Sequence, residues 1–243
     1  MVTSSRGGIG IDIEFRQLYK IAGVCAAIIA VLIPIQAFIF IAFPPPSTVI
    51  GYFELFQKHK ILGLLDLDLL LSLDNLLTIV IFLGLYNVMK RTNRSLVTIA
   101  IAFSLIGIVL YLVSREATFS MLMLSNQYAA ATSEVQKATL LAAGQTMLTV
   151  FNGSAFDISY VMGGIAILII SIVMTRNEFL GKAIAYVGII TGILMLLPPT
   201  VGTVGLYVSM LSLLPTLVWL VMLSIRFIRL GKADVVEPKE NKP

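Results

Sequence analysis

The chain has little of what proteins that fold and react in water rely on. Its 243 residues include one cysteine, Cys25, and one histidine, His59. A lone cysteine excludes a disulfide framework and any cysteine-based metal centre. A lone histidine excludes multi-histidine zinc, haem or di-iron sites. Charged residues make up 12% of the chain, about half the share of a soluble globular domain. Such a sequence has too few polar side chains to cover its own outside in water. G-x-S-x-G, H-E-x-x-H, Walker and dinucleotide motifs are absent, so an enzyme is the least supported class. No cofactor, metal or nucleic-acid partner is expected.

What the chain does have is apolar length. It is 58% hydrophobic, with a mean hydropathy of +0.97. Stretches at 21–43, 69–89, 95–114, 156–175, 181–199 and 203–225 are apolar, and roughly 20 such residues cross a bilayer as a helix. These predict an all-α, polytopic transmembrane bundle of six spans. Thirteen of the seventeen Lys and Arg residues then share one side, and only Lys58, Lys60, Arg115 and Lys137 fall on the other. The excess of positive charge marks the cytoplasmic side, so both termini are expected there, in a prokaryotic plasma membrane. The polar start shows no short apolar region of a secretory signal before the first span. A single transmembrane domain, 1–231, would end in a disordered cytoplasmic tail, 232–243.

Between the spans lie two amphipathic segments, 48–60 and 115–150, expected as a helical cap on the outer face. Pro44, Pro45 and Pro46 must end the first helix. Residues 48–60 read as an interfacial helix with Tyr52, Phe53 and Phe56 towards lipid. The second span reads as one helix from Ile61 to Met89, about 43 Å long, projecting beyond the membrane. The connection 115–150 reads as two helices broken near Asn126–Ala131.

Several sequence runs resemble a known family. The run SYVMGGIAILIISIVMTRNEFLGKAIAYVGIITGILMLLPP, the ending FIRLGK and the opening LYKIAGVCAAIIAVL are similar to bacterial and archaeal membrane proteins described as domain of unknown function 4386. The resemblance covers most of the chain. It implies a six-span bundle and no activity.

Ionisable residues within a membrane are costly, so each is a functional candidate. Measured along the helices from the cytoplasmic edge, Asp74 lies about 24 Å, Asp157 about 28 Å and Arg115 about 32 Å away. Asp66 and Asp68 lie higher. One outer-leaflet layer should therefore hold Asp66, Asp68, Asp74, Asn75, Arg115, Glu116, Asn152 and Asp157, with Asp68, Ser72 and Asn75 on one stripe. In one reading Arg115 pairs with Asp74 or Asp157 and fastens the spans together. In the other, five acids against one arginine leave an excess that is solvated, protonated or bound to a cation such as Ca²⁺. Gly188 and Gly192 form a G-x-x-x-G face for close helix packing, and Pro215 should kink the last span. The working function is binding or passage of a small-molecule or lipidic ligand at the polar layer. The alternative is a non-catalytic accessory or assembly subunit. The expected partners are the bilayer and either further copies of the chain or a larger membrane complex.

Overall fold

The computed structural model describes residues 15–232. Arg6, Lys239, Lys242 and nearly all of the expected tail lie outside the described residues; Lys232, its first residue, closes the last helix. Helices are α1 (Arg16–Ala42), α2 (Val49–Lys58), α3 (Lys60–Asp66), α4 (Leu69–Met89), α5 (Arg94–Ser114), α6 (Ala117–Ala130), α7 (Glu134–Phe151), α8 (Ser154–Met174), α9 (Lys182–Leu194) and α10 (Gly202–Lys232). No strand occurs among the described residues.

The starts of three helices follow from their capping residues. Thr48, Asn93 and Ser133 each accept a backbone N–H from the first turn of α2, α5 and α7, at 3.2, 3.1 and 3.3 Å. Each bond satisfies a donor that the helix itself leaves free. Five helical stretches are long and apolar enough to cross a membrane. They are α1, α4, α10, and two composites, Arg94–Ala130 and Glu134–Met174, of 37 and 41 residues. At 1.5 Å per residue the composites run about 55 and 61 Å, well beyond a 30 Å hydrocarbon core. The fifth expected span, 181–199, is realised as α9, only 13 residues long. Gly181, at φ +90°, precedes it and a turn leading into Pro198 and Pro199 follows.

Two apolar cores result. The larger joins α1, α4, α5, α8, α9 and α10 around Tyr19, Leu85, Met89, Ile170, Met174 and Phe227. The smaller joins α2, α3, α6 and α7 around Phe53, Phe56, Leu67 and Met121. This corrects the expectation that Tyr52, Phe53 and Phe56 face lipid. They are 7%, 2% and 0% exposed, because the α6–α7 hairpin offers them a protein surface. The expected single helix 61–89 is also corrected. The chain breaks at Leu67–Asp68, where Asp68 takes a left-handed φ of +62°. Aspartate is among the few residues other than glycine that tolerate this geometry.

Small residues set the closest approaches. At Gly23 a Cβ would lie 2.8 Å from the Ile228 side chain and 3.1 Å from the Ser224 carbonyl. There α1 and α10 touch, and the Ser224 hydroxyl donates to the Gly23 carbonyl at 2.8 Å. Gly188 abuts Ser171 and Trp219, and a Cβ on Gly192 would meet the Leu168 backbone at 2.8 Å. These contacts join α9 to α8 and α10 within one chain.

Overfilling a packed helix contact costs about 1–3 kcal/mol. Gly188→Ile and Gly192→Ile should therefore each lower the melting temperature in detergent. An unchanged melting curve for both would mean that α9 yields freely at these positions.

Candidate functional site

The site is built on the break between α3 and α4. Leu67 ends a turn closed by the Asp68 N–H donating to the Leu65 carbonyl at 3.1 Å. The Leu67 carbonyl is taken up by the Thr118 hydroxyl at 2.6 Å. The Asp68 carbonyl accepts from both the backbone and the hydroxyl of Ser72, at 2.9 and 3.0 Å. With its backbone held, Asp68 presents its side chain to α5 and α6.

Arg115 lies there, at the joint of α5 and α6. Its Nη2 stands 2.7 Å from Asp68 Oδ2, and both side chains are less than a tenth exposed. Its Nη1 donates to the Phe151 carbonyl at 2.8 Å and to Ser114 Oγ at 3.0 Å. The guanidinium carbon sits 3.9 Å from the ring centre of Phe151, 4.4 Å from Tyr111 and 4.5 Å from Phe156. Tyr111 also donates its hydroxyl to Asp68 Oδ2 at 3.3 Å. Planar arginine suits this box because it stacks on rings while its edge still donates. One residue therefore ties α4, α5, α7 and α8 together.

The partner is thus Asp68, not Asp74 or Asp157. The expectation weighed only Asp74 and Asp157 as partners, although Asp68, twenty-two residues before Lys90, stands at the depth of Arg115, twenty-one after Arg94. The break at Leu67–Asp68 leaves that depth unchanged and gives Asp68, at the start of α4, the left-handed backbone from which it meets Arg115. Asp157 is instead bonded by the Thr200 hydroxyl, which links the start of α8 to the turn before α10. Asn75 and Asn152 donate to carbonyls of their own helices, Leu71 and Leu148, at 2.9 and 3.3 Å. Glu116 and Asn152 are exposed. The stripe of Asp68, Ser72 and Asn75 is therefore taken up by an ion pair and helix-backbone bonds.

Asp66 and Asp74 differ from the rest. They are 4% and 6% exposed. Asp66 Oδ1 and both carboxylate oxygens of Asp74 have no hydrogen-bond partner among the described residues. Burial first, and then the Asp68 carboxylate, push Asp66 up to about 6. Tyr52 on α2 is pushed up to about 12 by burial and by the same two carboxylates. Gln36 of α1 also belongs here. It donates to the Leu65 carbonyl at 3.0 Å while its own amide oxygen is buried without a partner. Among the described residues no three His, Cys, Asp or Glu side chains are grouped so as to hold a metal ion.

Gln36, Tyr111, Ser114 and Thr118 were missed in the sequence. Gln36 is hidden in an apolar run, yet it is the only amide of the first span. Tyr111 precedes Arg115 by one helical turn, a spacing that places them on one face.

A family model described as a domain of unknown function (DUF4386) matches residues 21–231. No curated protein and no solved structure matches the chain.

Breaking a buried ion pair by removing one partner costs about 3–5 kcal/mol. Arg115→Ala should lower thermal stability by that order, and adding Asp68→Asn should restore much of it by removing the stranded charge. Asp74→Asn and Asp157→Asn should give no rescue. Melting curves of the single and double variants read this directly, and rescue by Asp74→Asn instead would overturn the pairing.

Proposed function

Since the chain belongs to the family described as domain of unknown function DUF4386, which states no activity, we propose a function from its own site: a six-span membrane protein that binds or passes a small-molecule or lipidic ligand at the acid-bearing layer. The observation that carries this reading is the pair of buried carboxylates, Asp66 and Asp74, with unpartnered oxygens. A buried polar group left without a partner costs free energy that an internal staple would not leave unrecovered. A ligand that brings donors to these oxygens removes that cost.

The topology completes the proposal. α9, about 20 Å long, serves as the fifth span together with the turns that flank it. α2, α3, α6 and α7 form the outer cap, and both termini face the cytoplasm of a prokaryotic cell. The distribution of Lys and Arg supports this orientation. The Glu116 and Asn152 side chains, being exposed, would line the mouth of the layer rather than its floor.

One observation favours a second reading. The Arg115–Asp68 pair finds its countercharge and two further acceptors within the chain, so it holds the helices without any ligand, as an accessory or assembly subunit would require.

The topology is checked in a Cys25→Ala background. Ser133→Cys should react with an impermeant thiol reagent added outside intact cells, and Asn93→Cys should not. Reaction at residue 93 from outside would end the six-span reading.

The ligand is checked by purifying the full chain in mild detergent and weighing it intact by native mass spectrometry. A stoichiometric bound mass, lost in an Asp66→Asn, Asp74→Asn double variant, is the expected result. Retention of other polypeptides with no bound small molecule would favour the subunit reading instead.

A further inference from the structure

The outer end of α1 meets the protein in an uncommon way. Beyond Ile29, Gln36 is the only buried residue of this helix, which continues to Ala42. Ile35, Phe38 and Ile41 around it are 43%, 66% and 77% exposed. If this contact served packing alone, a leucine or isoleucine would make it at no polar cost. An amide there must be hydrogen-bonded to be tolerated.

Gln36 is only half satisfied. Its Nε2 donates to the Leu65 carbonyl, which fixes the amide beside the last turn of α3. Its Oε1 is buried without a partner, as is Oδ1 of Asp66, the residue next to Leu65. About 7.5 Å along the axis of α4 from its start, both oxygens of Asp74 are buried without partners. Four buried, unpartnered oxygens thus lie on α1, α3 and α4, those of Gln36 and Asp66 beside the last turn of α3, and all four are acceptors. The unpartnered donor of the layer, Arg115 Nε, belongs to a side chain already held by Asp68 and three rings.

A surface made of acceptors selects among ligands by chemistry. A carboxylate or phosphate brings no donor and is repelled by two acids. A quaternary ammonium brings charge without an N–H. A primary ammonium brings one positive charge and three N–H donors on a compact head. Beside Gln36, the exposed Ile35, Phe38 and Ile41 give this end of α1 an apolar outer surface.

Resting on the ligand reading above, we propose that the group bound at this layer is a primary ammonium, held by Gln36 Oε1, Asp66 and Asp74 and admitted along the outer end of α1. The carboxylates supply countercharge, and Gln36 supplies a neutral acceptor that orients the head without adding repulsion between acids. A charge-assisted bond of this type is stronger than a neutral one.

The test uses the full chain in detergent, titrated with phosphatidylethanolamine, phosphatidylcholine, phosphatidylglycerol or free ethanolamine and followed by melting temperature and native mass spectrometry. Phosphatidylethanolamine should bind at least tenfold more tightly than phosphatidylcholine, which has the same net charge but no N–H. Gln36→Leu and Asp66→Asn should each weaken phosphatidylethanolamine about tenfold, roughly one bond to a charged group. Glu134→Gln, at an exposed pair with Lys137, should change nothing. Asp66→Asn keeps the shape of the side chain and carries the test if Gln36→Leu does not fold. Equal stabilisation by free ethanolamine would assign the site to soluble amines and keep the ammonium chemistry. Equal or tighter binding of phosphatidylcholine or phosphatidylglycerol would overturn that chemistry while leaving a ligand site. Binding of none of the four, with no bound mass on the purified chain, would end both readings.

Discussion

Taking a guanidinium and a carboxylate out of water carries a desolvation cost of several kcal/mol per ion, recovered only when geometry and additional hydrogen bonds are good. Arg115 and Asp68 meet that condition through four other residues. Tyr111, Ser114 and the Phe151 carbonyl add hydrogen bonds to the pair, while Phe151, Phe156 and Tyr111 wall the charge with rings. The arrangement constrains much of the fold. Asp68 meets its partner where the chain breaks after Leu67, and α7 and α8 both supply rings that close over Arg115. The left-handed backbone at Asp68 and the ion pair are therefore two aspects of one residue choice.

The break also divides the apolar mass. Leu67, fully buried, belongs to the smaller core of α2, α3, α6 and α7, whereas α4 beyond it packs into the larger one. The polar layer lies at the seam between these cores. This location explains why Asp66, Asp68 and Arg115 are buried although they are ionisable. An element covers them from each side, and neither core alone could do so. Asp66 and Gln36 sit at the edge of the same seam, where α1 makes its one outer contact.

The helical, membrane-type character of the chain was legible in its sequence because apolar length is a local property that no tertiary contact reverses. Partner identity was not. Asp68 lies twenty-two residues before Lys90 and Arg115 twenty-one after Arg94, so equal depth was written in the numbering. A reading that weighed only Asp74 and Asp157 as partners of Arg115 did not use it. The orientation of Tyr52, Phe53 and Phe56 failed for a related reason. Amphipathicity shows that a face is to be buried and does not say whether lipid or protein buries it. The short α9 was obscured because a hydropathy window counts Met195–Leu197 as span although the helix has already turned. Gln36 carries no charge, and a single amide barely lowers the mean of an apolar window.

The chain order gives the buried pair a history as well as a geometry. Asp68 leaves the ribosome forty-seven residues ahead of Arg115, and the Phe151 and Phe156 rings follow later still. For that interval the acid has no countercharge, and the pair, once made, has no aromatic cover. A nascent α4 with an unaccompanied carboxylate at its leading end is stable only if that end has reached water. The tight turn between Met89 and Arg94 joins α4 and α5 as one hairpin, which carries both charges at the same end. Dehydration of the pair then awaits α8. The aromatic cover of this layer thus comes from residues later in the chain than the pair it covers, and a chain ending before residue 151 would lack it.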